Sequence, residues 1–179
     1  MTSEAFLQLL KDENCDIEKL NDTLLGLLKD KNMKIATAES CTGGMVSKWI
    51  TDVPGAATVF DLGICCYANE MKEKVLGVSH KTLENFGAVS HQTAEEMADG
   101  VREISNADIG VSTTGIAGPD GGTAEKPIGL VYIGISTQDK TVTHELHFGD
   151  NDENNRDDIR RLTTAAVFYL ALRHIKANF

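Results

Sequence analysis

Apolar residues along this chain switch repeatedly between helical and strand spacing. Ala5, Phe6, Leu9 and Leu10 share one helical face within residues 1–14, expected as a loosely attached helical extension. Ile17, Leu20, Leu24, Leu27 and Leu28 form the stripe of an amphipathic helix over 16–31. Met33-Lys34-Ile35-Ala36 opens a strand over 34–38, and a helix is predicted from Gly43 to about Thr51. Residues 59–67 are nearly all apolar, which predicts a strand buried on both faces. Short helices follow at 69–76, ended by Gly77, and at 81–86, ended by Gly87. Ser90 suits the N-cap of a helix running to about 105. A third strand over 109–113 leads into a Gly-rich loop over 115–127. Residues 128–136 and 141–148 read as a hairpin, with Val142, His144, Leu146 and Phe148 alternating onto one face. A helix over 156–176 closes the chain.

Strands alternating with helices, then a hairpin and a last helix, predict a three-layer α/β/α fold around a mixed, mostly parallel sheet of about five strands. No repeat or internal boundary interrupts residues 15–179, so they are expected to form a single domain after the 1–14 extension.

Composition narrows the function classes. The 179 residues are 41% hydrophobic and 25% charged, with a net charge of −10. That balance argues against general nucleic-acid binding, which depends on lysine and arginine neutralising phosphates. No apolar run reaches the roughly 20 residues that span a bilayer, and no signal-peptide pattern opens the chain, so a cytoplasmic protein with no membrane partner is expected. Cys15, Cys41, Cys65 and Cys66 show no C-x-x-C spacing, and the five histidines form no ligand cluster, so no metal site is expected. Adjacent Cys65 and Cys66 should point to opposite strand faces as small buried residues outside any disulfide. His144 and His147 fall on opposite faces of their strand.

The candidate chemistry lies at the C-terminal ends of the predicted parallel strands, where ligands bind in open α/β sheets. The first end carries Ser40-Cys41-Thr42-Gly43-Gly44, three hydroxyl or thiol groups before a glycine pair and a helix start, where free N–H groups favour an anion. The second carries Tyr67-Ala68-Asn69-Glu70-Met71-Lys72, and the third Ser112-Thr113-Thr114-Gly115-Ile116-Ala117-Gly118-Pro119. No histidine lies at these ends. Lys72 is the natural alternative base, since burial can depress a lysine pKa. The Gly115–Gly122 loop suits close backbone approach to a ligand.

Taken in order, Ala38-Glu39-Ser40-Cys41-Thr42-Gly43-Gly44, Tyr67-x-Asn69-x-x-Lys72, Gly87-Ala88-Val89-Ser90 and Thr114-Gly115-Ile116-Ala117-Gly118-Pro119-Asp120-Gly121-Gly122 resemble the CinA C-terminal-domain family. Lys126-Pro127-Ile128-Gly129 and Arg156-x-x-x-Arg160-Arg161 fit as well, so the likeness runs from about 18 to 175. The resemblance implies hydrolysis of the carboxamide of nicotinamide mononucleotide to nicotinate mononucleotide and ammonia. It makes Ser40 the nucleophile and Lys72 its base, with Tyr67 and Thr114 around the reacting amide. Backbone groups of Cys41, Thr42, Gly43 and Gly44 would hold the oxyanion or the phosphate, and Asn69, Gly115 and Gly118 would line the substrate. Arg160 or Arg156 would meet the anionic group, with Arg160 preferred because the acidic stretch over 149–155 precedes Arg156 directly. The chemistry requires no cofactor or metal; a small nucleotide is the partner, and a homo-oligomer is expected. Ala68 departs from a serine common in the family, Cys65-Cys66 replaces a Val/Thr-like pair, and 149–156 is longer than the usual link. The alternatives are an amidohydrolase of a different substrate and a non-catalytic nucleotide-binding or protein-interaction domain.

Overall fold

Small residues on one side of the sheet and bulky ones on the other set how close each helix layer comes. The structure is a computed structural model that describes residues 1–150 and 155–179. Five strands, β1 (Ile35–Glu39), β2 (Phe60–Cys65), β3 (Ile109–Gly115), β4 (Leu130–Ser136) and β5 (Thr141–His147), form one sheet in the order β2-β1-β3-β4-β5. β1 pairs in parallel with β2 and β3, while β3–β4 and β4–β5 are antiparallel. The sheet is mixed as expected, its pairings divided evenly between the two senses.

Among the described residues the α-helices are α1 (Ser3–Asp12), α2 (Leu20–Lys31), α3 (Met45–Thr51), α4 (Asn69–Leu76), α5 (His80–Phe86), α6 (His91–Ser105) and α7 (Arg156–Asn178). Helices α1, α2, α3 and α7 cover one face of the sheet, and α4, α5 and α6 the other. Helix α6 packs almost onto the backbone of the sheet. A Cβ on Gly110 would lie 2.2 Å from the Ala98 carbonyl oxygen, and one on Gly134 2.4 Å from that of Ala94. Ser90 caps α6 by accepting from the Thr93 N–H, as its position predicts. The other face holds the larger core, where Ile35, Val111, Ile133 and Leu146 meet Val167, Phe168 and Ile175 of α7. Asn155 and Asp158 close a capping box at the start of α7, which fixes where Arg156 and Arg160 emerge.

Three expectations are corrected. Helix α1 is integral to the core: Phe6 is fully buried against Phe148 and Tyr169, and the Met1 carbonyl accepts from the His147 N–H at the β5 edge. The second strand is not a strand buried on both faces. β2 is an edge strand with half-buried Phe60, Leu62 and Ile64 alternating with exposed positions, because β1 and not β2 occupies the interior. Cys65 is accordingly exposed, whereas Cys66 is buried; all four cysteines are free. The acidic stretch falls mostly on 151–154, outside the described residues. Among the described residues no helix is long and apolar enough to cross a membrane.

Candidate active site

The end of β1 is clamped from both sides before its side chains are considered. The Ser40 N–H donates to the Thr113 carbonyl (3.0 Å), and the Cys66 N–H donates to the Glu39 carbonyl (2.9 Å), extending both parallel ladders by one step. The chain then turns through Gly43 and Gly44 at φ +59° and +94°, a backbone that side chains disfavour. Ser40 is thereby left at the rim of the sheet, toward α4.

Lys72 comes from the first turn of α4 and is 1% exposed. Its Nζ donates to the carbonyls of Cys66 (2.9 Å) and Tyr67 (3.0 Å), and lies 3.2 Å from Ser40 Oγ. Burial lowers its pKa below the usual lysine range, and only the thiols of Cys66 and Cys41 push it back up. Two carbonyls occupy two of the amine's N–H groups. The third tetrahedral direction faces Ser40, where a neutral lysine carries its lone pair. Such a nitrogen can accept the serine proton and return it.

Cys41 is a poor rival nucleophile. It is buried, and burial pushes its thiol up to about 12. Thr42 is fully buried and donates its hydroxyl to Glu39 Oε2 (2.7 Å), which leaves it to accept from Thr113 (2.8 Å). Glu39 also takes the N–H groups of Gly44, Val46 and Ser47, so the start of α3 already holds a carboxylate. Among the described residues the Thr42 N–H makes no hydrogen bond, while the Cys41 N–H bonds its own thiol.

Arg160 reaches in from α7 and donates to the Thr42 carbonyl (2.8 Å); its guanidinium would lie 3.4 Å from a Cβ on Gly43. Arg156 donates to the Gly118 carbonyl (2.5 Å) and to the Tyr67 hydroxyl (3.3 Å), tying the Gly-rich loop to the end of β2. Tyr67 is 67% exposed and presents its ring to solvent. Both arginines thus stand at the site, whereas Arg161 turns away to Glu18. Asn69 is exposed at the first position of α4. Thr114 faces the α6 layer and spends its hydroxyl on the Ala88 carbonyl (2.6 Å), so it anchors the Gly87–Ser90 turn rather than facing Ser40 freely. Gly115 is a packing glycine: a Cβ there would lie 2.7 Å from the Leu130 carbonyl oxygen. Sequence reasoning passed over Glu39 and Thr113. The available signal was an acidic residue just ahead of a Gly-Gly helix start.

A cavity of about 790 Å³ opens between residues 13–23 and the last turns of α7. Its lining includes the matched pair Glu13–Arg173 and no residue of the Ser40 cluster. The convergent groups, Ser40, Lys72, Arg156 and Arg160, lie at the strand ends. Among the described residues no group of three or more His, Cys, Asp or Glu side chains could hold a metal ion.

A family model for the CinA C-terminal domain matches residues 17–175. The chain belongs to that family. A competence-damage inducible protein of Caldanaerobacter subterraneus subsp. tengcongensis is 49% identical over 163 residues, covering 91% of this chain and 39% of the relative. One from Acetivibrio thermocellus is 50% identical over 158 residues, covering 88% of this chain and 37% of the relative. The chain therefore spans about two fifths of the length of these relatives. Among solved CinA-type structures, the competence/damage inducible protein CihA of Agrobacterium tumefaciens matches with a TM-score of 0.84 at 38% identity, covering 89% of this chain and 95% of that one. A competence or damage-inducible protein of Enterobacter asburiae matches with a TM-score of 0.83 at 32% identity, covering 89% and 98%. The CinA fold accounts for the mixed five-strand sheet.

Proposed function

We propose that this CinA-family chain is an amidohydrolase that converts nicotinamide mononucleotide to nicotinate mononucleotide and ammonia. The observation that carries the reading is the Ser40–Lys72 pair, a hydroxyl 3.2 Å from a buried amine with a lowered pKa. Ser40 Oγ attacks the carboxamide carbon while its proton passes to Lys72 Nζ. The negative oxygen of the tetrahedral intermediate meets the unpaired Thr42 N–H. Lys72 then gives the proton to the departing nitrogen, and ammonia leaves an ester on Ser40. Water, deprotonated by Lys72, attacks that ester and frees the acid and Ser40.

The substrate assignment rests on the family resemblance and on chemistry that the site could read. Arg160 and Arg156 supply two cations for a phosphate in a chain of net charge −10. The exposed Tyr67 ring offers a flat face to a pyridinium. The test is ammonia release from nicotinamide mononucleotide by the purified chain, with Ser40→Ala as the control. Release that is absent from Ser40→Ala supports the reading; no release by the unsubstituted protein refutes the substrate.

A further inference from the structure

Glu39 is a carboxylate 1% exposed to solvent that pairs with no lysine or arginine among the described residues. Burying a charge is costly unless hydrogen bonds replace its water. Here the replacement is dense. Oε2 accepts from Thr42 Oγ1 (2.7 Å), the Gly44 N–H (2.9 Å) and the Val46 N–H (3.0 Å). Oε1 accepts from the Ser47 N–H (2.8 Å) and Ser47 Oγ (2.7 Å). An ionised carboxylate only accepts, so both hydroxyls must donate to it. Thr113 then donates to Thr42, and Thr37 to Ser47, and two hydroxyl chains from β1 and β3 converge on one side chain.

We propose that Glu39 is a positioning residue: it serves as a built-in anion for the Gly44–Ser47 backbone and so fixes the Ser40–Gly44 turn. Three consequences follow. Ser40 is held at the distance from Lys72 that proton transfer needs. The Thr42 N–H stays unpaired, because the Gly43 N–H turns to the Ser40 carbonyl and the Gly44, Val46 and Ser47 N–H groups are drawn back to Glu39. The helix start is closed to a ligand phosphate, which leaves the anionic end of a nucleotide to Arg160 and Arg156. Glu39 itself touches no substrate.

This inference rests on Ser40 being the nucleophile, and its test separates the two. Glu39→Gln keeps the shape but replaces one acceptor oxygen by an NH2 that faces N–H donors. The crystal structure of Glu39→Gln should show Ser40 Oγ and Lys72 Nζ beyond hydrogen-bonding distance. kcat for nicotinamide mononucleotide should fall about 100-fold, the scale of a 1 Å misplacement, with KM changed by less than about threefold. A serine–lysine pair still in contact overturns the positioning role, whatever happens to kcat; so does a loss confined to KM. If the unsubstituted protein does not hydrolyse this nucleotide, the substrate fails and the crystallographic arm alone decides on Glu39. If Glu39→Gln does not fold, Ser47→Ala, which removes one donor at an α3 position outside the site, takes its place. It should lower kcat a few-fold without changing KM, or, in an inactive protein, lengthen the Ser40–Lys72 contact; if neither measure moves, the proposal is overturned.

Discussion

Two polar clusters sit on this sheet, and they treat charge in opposite ways. At the β5 edge, Glu145 accepts from Tyr132 (3.0 Å), lies 2.7 Å from His147 Nε2 and 3.3 Å from His91 Nε2, and is partly exposed like both imidazoles. The His147 hydrogen bond is the main cause holding the Glu145 carboxyl below its usual range. Every group there has an opposite or a polar partner, and water screens what is left. At the end of β1, Lys72 is buried against two neutral carbonyls and a serine. The first cluster is satisfied and has no reason to react. The second holds an amine in a place that disfavours its charge, and such placement is how proteins make bases.

The largest effect expected is at Ser40. Ser40→Ala should reduce ammonia release to background while the melting temperature stays close to that of the unsubstituted protein. Near-normal turnover by Ser40→Ala together with an inactive Cys41→Ala would transfer the nucleophile to Cys41, against the burial that pushes that thiol to about 12.

Next comes the pH profile, which sets the two clusters directly against each other. If Lys72 is the base, its acting form is the neutral amine, and burial lowers its pKa. kcat/KM should therefore climb with pH and level off at a midpoint below the ordinary lysine value of about 10.4. A profile that levels off only near that value would mean that Lys72 is not desolvated in solution. His147→Gln should leave the midpoint unmoved.

The arginines give an intermediate effect. Arg160→Ala and Arg156→Ala should each raise KM for the mononucleotide, by an amount worth roughly 1.5–3 kcal/mol for a charge-assisted contact. Neither should do so for the riboside, which lacks the phosphate. Arg160 is expected to dominate, since its guanidinium lies against the Gly43 turn that follows Ser40, 3.4 Å from a Cβ there. Equal losses with riboside and mononucleotide would assign the arginines to holding the loop and turn.

The smallest effect belongs to the β5 edge. Glu145 has a depressed pKa in the folded state, so its stabilisation is present above the unfolded carboxyl pKa and is lost as pH falls through the folded one. For groups this exposed, His147→Gln should cost no more than about 1 kcal/mol in urea unfolding at neutral pH. A larger loss would show that the edge cluster supports the fold through its contact with the N-terminal segment.

Much of this was legible in the sequence, and the misses have physical causes. Strand ends loaded with Ser40, Lys72 and Gly118 could be read from alternation of elements and from where ligands bind in α/β sheets. The capped helices could be read from Ser90, Gly77 and Gly87. The edge position of β2 could not, because strand order is set by tertiary pairing and an apolar run of that length suits either place. Thr113 and Thr114 are neighbours in sequence but face opposite helix layers, so choosing between them needed the register. Glu39 was hidden among 27 acidic residues; only burial distinguishes a carboxylate that organises a turn from one that solubilises a surface.

The most direct test of the serine–lysine assignment is ammonia release by Lys72→Arg measured beside the unsubstituted protein. Arginine keeps the positive charge but cannot give up a proton at working pH. If Lys72 is the base, the variant should lose about 100- to 10,000-fold in kcat, the range for general-base groups, and lie close to Lys72→Met. An Arg variant that retains most of the activity would show that the position supplies only charge, and the Ser40–Lys72 mechanism would be wrong.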